Sequence, residues 1–195
     1  EPADAAEALA FTKLGYELSE KFDTPVLIKM CTRVSHSQSI VEPGDRVEVR
    51  KEYQKDIAKY VMMPGNAKKR HPIVEQRTRD LVAYAEASPI DTLEPGQSNA
   101  IGSITSSTSY QYVKEVLGDR YPVLKLGMIW PMPEEKIRTF AASVDRLIVV
   151  EELEGFIQSH CRDLGIVCEG KELFSCIDEL SQNKVAAALN AAFQT

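Results

Sequence analysis

The sequence predicts an α/β protein with a mostly parallel sheet, and three observations carry that prediction. From Asn99 onward, short apolar runs such as Val123-Leu-Lys-Leu126 and Leu147-Ile-Val-Val150 alternate with helix-period segments. Glycine stands where those helix patterns end, at Gly118 and Gly165. Near the start, the run Val26-Leu-Ile-Lys-Met-Cys31 is apolar apart from Lys29, as a strand buried on both faces would be. Such alternation implies right-handed βαβ crossovers.

The elements follow in order. Asp4 is placed to cap a first helix, with Glu7 completing a capping box. Phe11, Leu14, Leu18 and Phe22 then form one apolar stripe. Asp23-Thr24-Pro25 breaks that helix, and a strand is expected over 26–31. From 41 to 95 the pattern loosens, with turn chemistry at Glu42-Pro43-Gly44-Asp45 and Met63-Pro64-Gly65-Asn66. The basic cluster Lys68-Lys69-Arg70-His71 reads as a solvated face rather than a phosphate site. A helix is expected from Pro72 to Ala87, closed by Ser88-Pro89. Beyond it, strands are expected at 100–105, 123–126, 147–150 and 166–168. Helices are expected at 109–117, 134–143, 155–164 and 183–193.

Composition narrows the function. The 195 residues carry a net charge of −6, which argues against nucleic acid as a partner, and 44% are hydrophobic, ordinary for a globular protein. No apolar run reaches the roughly 18 residues a membrane helix needs, and no signal peptide pattern opens the chain. The cysteines Cys31, Cys161, Cys168 and Cys176 form no Cys-x-x-Cys pair, so no zinc or iron–sulfur site is signalled; reduced thiols and a cytoplasmic location are expected. The start at Glu1-Pro2, without Met, reads as a piece of a longer protein.

In open α/β sheets ligands collect at the carboxyl ends of strands. Thr32-Arg33-Val34-Ser35-His36 begins where the strand at 26–31 would leave the sheet. Arg33 suits a bidentate pair with a carboxylate, and His36 suits proton transfer near neutral pH. An ordinary exposed loop accounts for the same residues. Thr105-Ser-Ser-Thr-Ser109 offers hydroxyls at a helix start, for an anion or simply for capping. Glu151, Glu152 and Glu154 offer carboxylates for acid–base work or for a helix dipole. No glycine-rich dinucleotide fingerprint or P-loop lysine is present.

In combination, the segment DAAEALAFTKLGYELSEKFDTPVLIKMCTRVSHSQSIVE resembles the alpha subunit of indolepyruvate ferredoxin oxidoreductases, a 2-oxoacid oxidoreductase family. So do YVMMPGNAKKRH, SYQYVKEVLG, LKLGMIWPMPEEKI and LIVVEELEGFIQ. Where the family is expected to have Thr-Ser-Gly ahead of Ser-Tyr, this chain has Thr105-Ser106-Ser107-Thr108. The resemblance implies a thiamine-diphosphate enzyme that decarboxylates an aryl-2-oxoacid, passes electrons through iron–sulfur clusters to ferredoxin and hands the acyl group to coenzyme A. It implies that 1–42 ends a pyrimidine-binding domain, that 43–98 is a linker with one helix, and that 99–195 is a transketolase-C-terminal-like three-layer domain.

Further expectations follow from the same resemblance. Thr32, Arg33 and Ser35 would bind substrate, while Arg33 and His36 would act in catalysis. Arg33 would read the 2-oxoacid carboxylate, and His36 would hydrogen-bond the reacting oxygen or orient a water. A beta subunit, ferredoxin and an oligomeric assembly are the implied partners. Thiamine diphosphate, Mg and the clusters would sit elsewhere in the full enzyme, with no metal and no cofactor residue in this chain, which alone would be inactive. The rival readings are a structural assembly module over 99–195 and the matching part of a pyruvate or other 2-oxoacid oxidoreductase.

Overall fold

In the computed structural model, which describes residues 1–193, the sheet is built from β1 (Thr92–Glu94), β2 (Gly102–Ser106), β3 (Val123–Leu126) and β4 (Leu147–Val150), in the order β1-β3-β2-β4. β2 pairs in parallel with both β3 and β4, and β1 runs antiparallel at the β3 edge. Every residue of β2, β3 and β4 is buried, as a parallel sheet covered on both faces requires.

The helices are α1 (Ala5–Phe22), α2 (Thr32–His36), α3 (Ile57–Tyr60), α4 (Pro64–Ala87), α5 (Ser107–Leu117), α6 (Glu134–Ala142), α7 (Phe156–Asp163) and α8 (Gln182–Phe193). Strand alternation sorts four of them into layers. Leu147 and Val149 of β4 face Ile137 and Phe140 of α6 and Ile157 and Cys161 of α7. Ile148 and Val150 face Val113 and Leu117 of α5 and Val185 and Leu189 of α8. The result is the expected three-layer α/β architecture. Ile104, Leu124, Ile148 and Val149 are essentially inaccessible, and each contributes about 1.5–3 kcal/mol of hydrophobic stabilisation.

α1 begins as its sequence dictates. Asp4 accepts from the Glu7 backbone N–H at 2.8 Å, and the Glu7 carboxylate accepts from Ala3 N at 2.9 Å. Glu7 also meets Lys125 of β3, a buried lysine whose ammonium lies 4.5 Å from the centre of the Tyr110 ring. This contact staples α1 to the sheet. At its other end, Asp23 gathers Lys59, Arg70 and Arg77, and the hydrogen bond from Lys59 leads in holding its carboxyl below the ordinary range. Two members of the basic stretch are thereby accounted for, Arg70 by Asp23 and His71 by Glu75 at 3.6 Å.

Several expectations are corrected. Residues 26–31 form no strand: the run is extended but pairs with no strand among the described residues, and Leu27 is 91% exposed. It lies against α1 instead, close enough that a Cβ on Gly15 would stand 3.5 Å from Val26. Apolarity alone cannot supply a strand's hydrogen-bonding neighbour. Thr32–His36 is correspondingly a helical turn, not a loop leaving a sheet. The strand expected at 166–168 reduces to a single bridge between Ile148 and Glu169. α4 starts eight residues before Pro72, at Pro64 in its first turn, and runs through Pro72. The Met63-Pro64-Gly65-Asn66 turn is thus a helix start, with Asn66 and Ala67 donating to the Met63 carbonyl at 2.9 Å. β1 gave no sequence signal, being three residues long with two exposed.

Candidate functional site

Where α1, α2 and α5 converge, a cleft of about 720 Å3 opens beside the carboxyl end of β2. Its walls come from Ala3, Asp4 and Ala5 at the start of α1, from α2 and the chain to Ser39, from Thr108, Gln111 and Tyr112 on α5, and from Glu179.

Local chemistry places each wall. α2 is anchored by buried Val34, which leaves Arg33 and His36 on its outer side. The preceding Cys31 lies with its Sγ 3.5 Å from Thr108 Oγ1, tying α2 to the first turn of α5. α5 starts without a side-chain cap, so the capping expected for its hydroxyl run is not what those hydroxyls do. Ser106 Oγ donates to Glu1 Oε2 at 3.0 Å, and Ser107 Oγ donates to the Pro2 carbonyl at 3.3 Å. Ser107 adopts φ +50, the left-handed region that favours glycine, within the stretch Thr105–Thr108 where the resemblance implies a Thr-Ser-Gly sequence. A serine meeting that backbone demand carries a cost of order 1 kcal/mol.

The sequence-predicted residues part company here. Thr32, Arg33 and His36 line the cleft together. Ser35 does not: its hydroxyl donates to the Cys31 carbonyl at 3.1 Å, one turn back. Arg33 forms a two-pronged pair with Glu179, from Nε to Oε1 and from Nη2 to Oε2 at 2.6 Å. Hydrogen bonding to Glu179 raises the guanidinium pKa, and the same contact depresses the Glu179 carboxyl, so both are charged at neutral pH. Glu179 and Tyr112 carried no sequence signal. Glu179 lies 146 residues from Arg33, beyond any periodicity.

The acidic strand end after β4 resolves as structure. Glu151 is buried and its two carboxylate oxygens accept from Ile157 N at 2.8 Å and Gln158 N at 3.0 Å, capping α7. Burial pushes its pKa up while those bonds oppose the shift. A second, mainly apolar cavity of about 390 Å3 lies between α1, the extended run, Leu81 of α4 and the stretch Gly127–Trp130. Among the described residues, no group of three or more His, Cys, Asp or Glu is placed to hold a metal ion, and no helix is long and apolar enough to cross a membrane.

Comparison with known proteins agrees with the sequence resemblance. Indolepyruvate oxidoreductase subunit IorA of Archaeoglobus fulgidus is 34% identical over 172 residues, covering 85% of this chain and 27% of its own length. The protein of the same name from Methanothermobacter thermautotrophicus is 34% identical over 164 residues, covering 81% of this chain and 26% of its own. That from Thermococcus kodakarensis is 29% identical over 206 residues, covering 97% and 32%. The chain thus spans about a quarter to a third of the length of the curated relatives it matches. No protein-family model matches it. A solved structure, 2-oxoglutarate:ferredoxin oxidoreductase from Magnetococcus marinus with 2-oxoglutarate, coenzyme A and succinyl-CoA bound, superposes with a TM-score of 0.53 at 17% identity. The superposition covers 90% of this chain and 30% of that one, and it supports the fold alone.

Proposed function

We propose, from the premise that this chain is a relative of the IorA subunits of indolepyruvate oxidoreductase over most of its own length, that it is part of a 2-oxoacid:ferredoxin oxidoreductase. In this reading the whole enzyme takes indolepyruvate or another aryl-2-oxoacid, decarboxylates it oxidatively, passes two electrons to ferredoxin and delivers the acyl group to coenzyme A. The observation in this molecule that carries the reading is the Arg33 fork at the mouth of a cleft shared with Thr32 and His36. A guanidinium fork matches a carboxylate in geometry and charge. His36 stands in the same wall, and in this reading it donates to the reacting carbonyl oxygen or orients a water.

The chain divides in this reading into 1–42, ending a pyrimidine-binding domain, a linker over 43–98, and a transketolase-C-terminal-like unit over 99–195. A beta subunit, ferredoxin and an oligomer complete the assembly. Thiamine diphosphate, Mg and iron–sulfur clusters belong to the whole enzyme, and no residue described here is assigned to them. The cleft's cationic group fits the one-charge carboxylate of a 2-oxoacid, and its neighbour Glu179 would oppose a diphosphate. A second reading has the 99–195 unit serve assembly only. It is favoured by Trp130 and Phe156, both more than half exposed with ring centres 6.5 Å apart, a small aromatic patch suited to a partner surface.

The test is made on the full-length subunit with its partner. Purified enzyme is expected to contain thiamine and brown iron–sulfur absorbance and to reduce viologen with indolepyruvate and coenzyme A. The chain of residues 1–195 alone is expected not to. Colourless, thiamine-free full-length protein would overturn the class, and turnover by the chain alone would overturn the division of labour.

A further inference from the structure

Two features of the cleft wall are left over once Arg33 is read as a carboxylate reader. Its fork is already closed on Glu179, carboxylate to guanidinium, across 146 residues of sequence. Beside it, the hydroxyl of Tyr112 is buried and has no hydrogen-bond partner. That hydroxyl lies within electrostatic reach of Arg33, Glu152, Glu179 and Cys31. A buried O–H without an acceptor is a net cost that phenylalanine would avoid, so a tyrosine there calls for an acceptor that arrives.

We propose that Glu179 is an internal stand-in for the ligand: it holds the Arg33 fork until a ligand carboxylate replaces it, and the Tyr112 hydroxyl then donates to that ligand as its second anchor. This rests on the reading of the cleft as a 2-oxoacid site and adds two residues to it. The exchange is balanced in charge, one carboxylate leaving as another enters, so the Arg33 fork keeps a carboxylate partner throughout. It is also inexpensive. The Arg33 and Glu179 side chains are 58% and 50% exposed, and exposed ion pairs are weak and screened by salt. The released carboxylate has a partner at hand, because Lys184 already donates to the Glu179 carbonyl at 2.7 Å and its charge acts on the Glu179 carboxyl. A ketone lacking the carboxylate has nothing with which to displace Glu179, so the pair sorts ligands by charge as well as holding the fork in shape.

The experiment uses the full-length enzyme with its partner subunit and indolepyruvate as the probe. KM, kcat and melting temperature are measured for the wild type, Arg33→Ala, Glu179→Gln, Tyr112→Phe and the Arg33→Ala/Glu179→Gln pair. Glu179→Gln is expected to lower KM about threefold, the modest gain that removing an exposed competitor allows. That gain should vanish on the Arg33→Ala background. Tyr112→Phe is expected to raise KM about three- to tenfold while leaving the melting temperature unchanged or higher, a split that a packing role would not produce. Glu179→Ser serves as a second variant should glutamine disturb the loop. If Arg33→Ala impairs KM but Glu179→Gln and Glu179→Ser leave it unchanged or raise it, the stand-in is wrong and the cleft reading survives. If Arg33→Ala leaves KM unaltered, the cleft reading itself fails.

Discussion

The stretch before Ser88 and the stretch after it are built on different terms. After Ser88, two clusters of buried apolar side chains cover the two faces of a sheet, and residues such as Ile104, Val113 and Ile148 have no exposure. Before it, Leu27, Ile40, Val47 and Tyr53 are each at least 80% exposed, and contact with the rest includes polar staples such as Glu7 to Lys125 and Arg33 to Glu179. The lesson is about division of labour. Packing holds the sheet unit together, while the seam between it and the first helices combines ion pairs with an unfilled apolar cavity. The cleft carrying Arg33 lies on that seam, where a site can exchange partners without disturbing a core.

The contrast can be broken by substitution. Ile104→Ala removes a fully buried side chain from the sheet core and is expected to cost about 2–5 kcal/mol in urea unfolding of the chain. A cost below 1 kcal/mol would mean that the sheet is not the stabilising unit. Glu7→Gln leaves the Lys125 ammonium buried without its carboxylate and is expected to cost about 1–3 kcal/mol. Its mark should be faster hydrogen exchange in α1, with the strands unaffected; uniform loosening would show that α1 is integral to the core.

Smaller effects sharpen the same comparison. Arg162 holds the Glu172 carboxyl down to about 2 from an ordinary 4.5. Its contribution is therefore complete above the ordinary carboxylate range and is lost as pH falls toward 2. Because the side chain is about half exposed and the ion pair is screened, the loss should be slight, and Glu172→Gln should flatten it; an unchanged acid profile would remove Glu172 from the account. Leu27→Ser, at a side chain already in water, is expected to move stability by less than about 0.5 kcal/mol. A large loss would reveal that the extended run has a partner.

Legibility in the sequence followed the same seam. β2, β3 and β4 and their helices were readable because both faces of the sheet are dry, and because Gly118 (φ +57) and Gly165 (φ +76) take a backbone geometry that marks helix ends. The run at 26–31 misled for a physical reason: apolar composition specifies neither a pairing strand nor burial, and Leu27 and Met30 stand exposed. Pro72 suggested a helix start, yet a mid-helix proline is tolerated here inside a largely exposed α4, where water can serve the freed carbonyl. In the cleft, Thr32, Arg33 and His36 were singled out by their place after an apolar run, which is no strand, and by the family resemblance. Glu179 and Tyr112 were not, because an ion pair and an orphan hydroxyl are properties of the folded surface, and no local pattern encodes them.

The central claim, that this seam is where a 2-oxoacid is held, is tested most directly by hydrogen exchange on the full-length enzyme with and without indolepyruvate. Slower exchange is expected at 31–39 and 106–113, the two walls of the cleft, with α6 (134–142) on the opposite face of the sheet unaltered. Unchanged exchange at both walls under saturating indolepyruvate would contradict it.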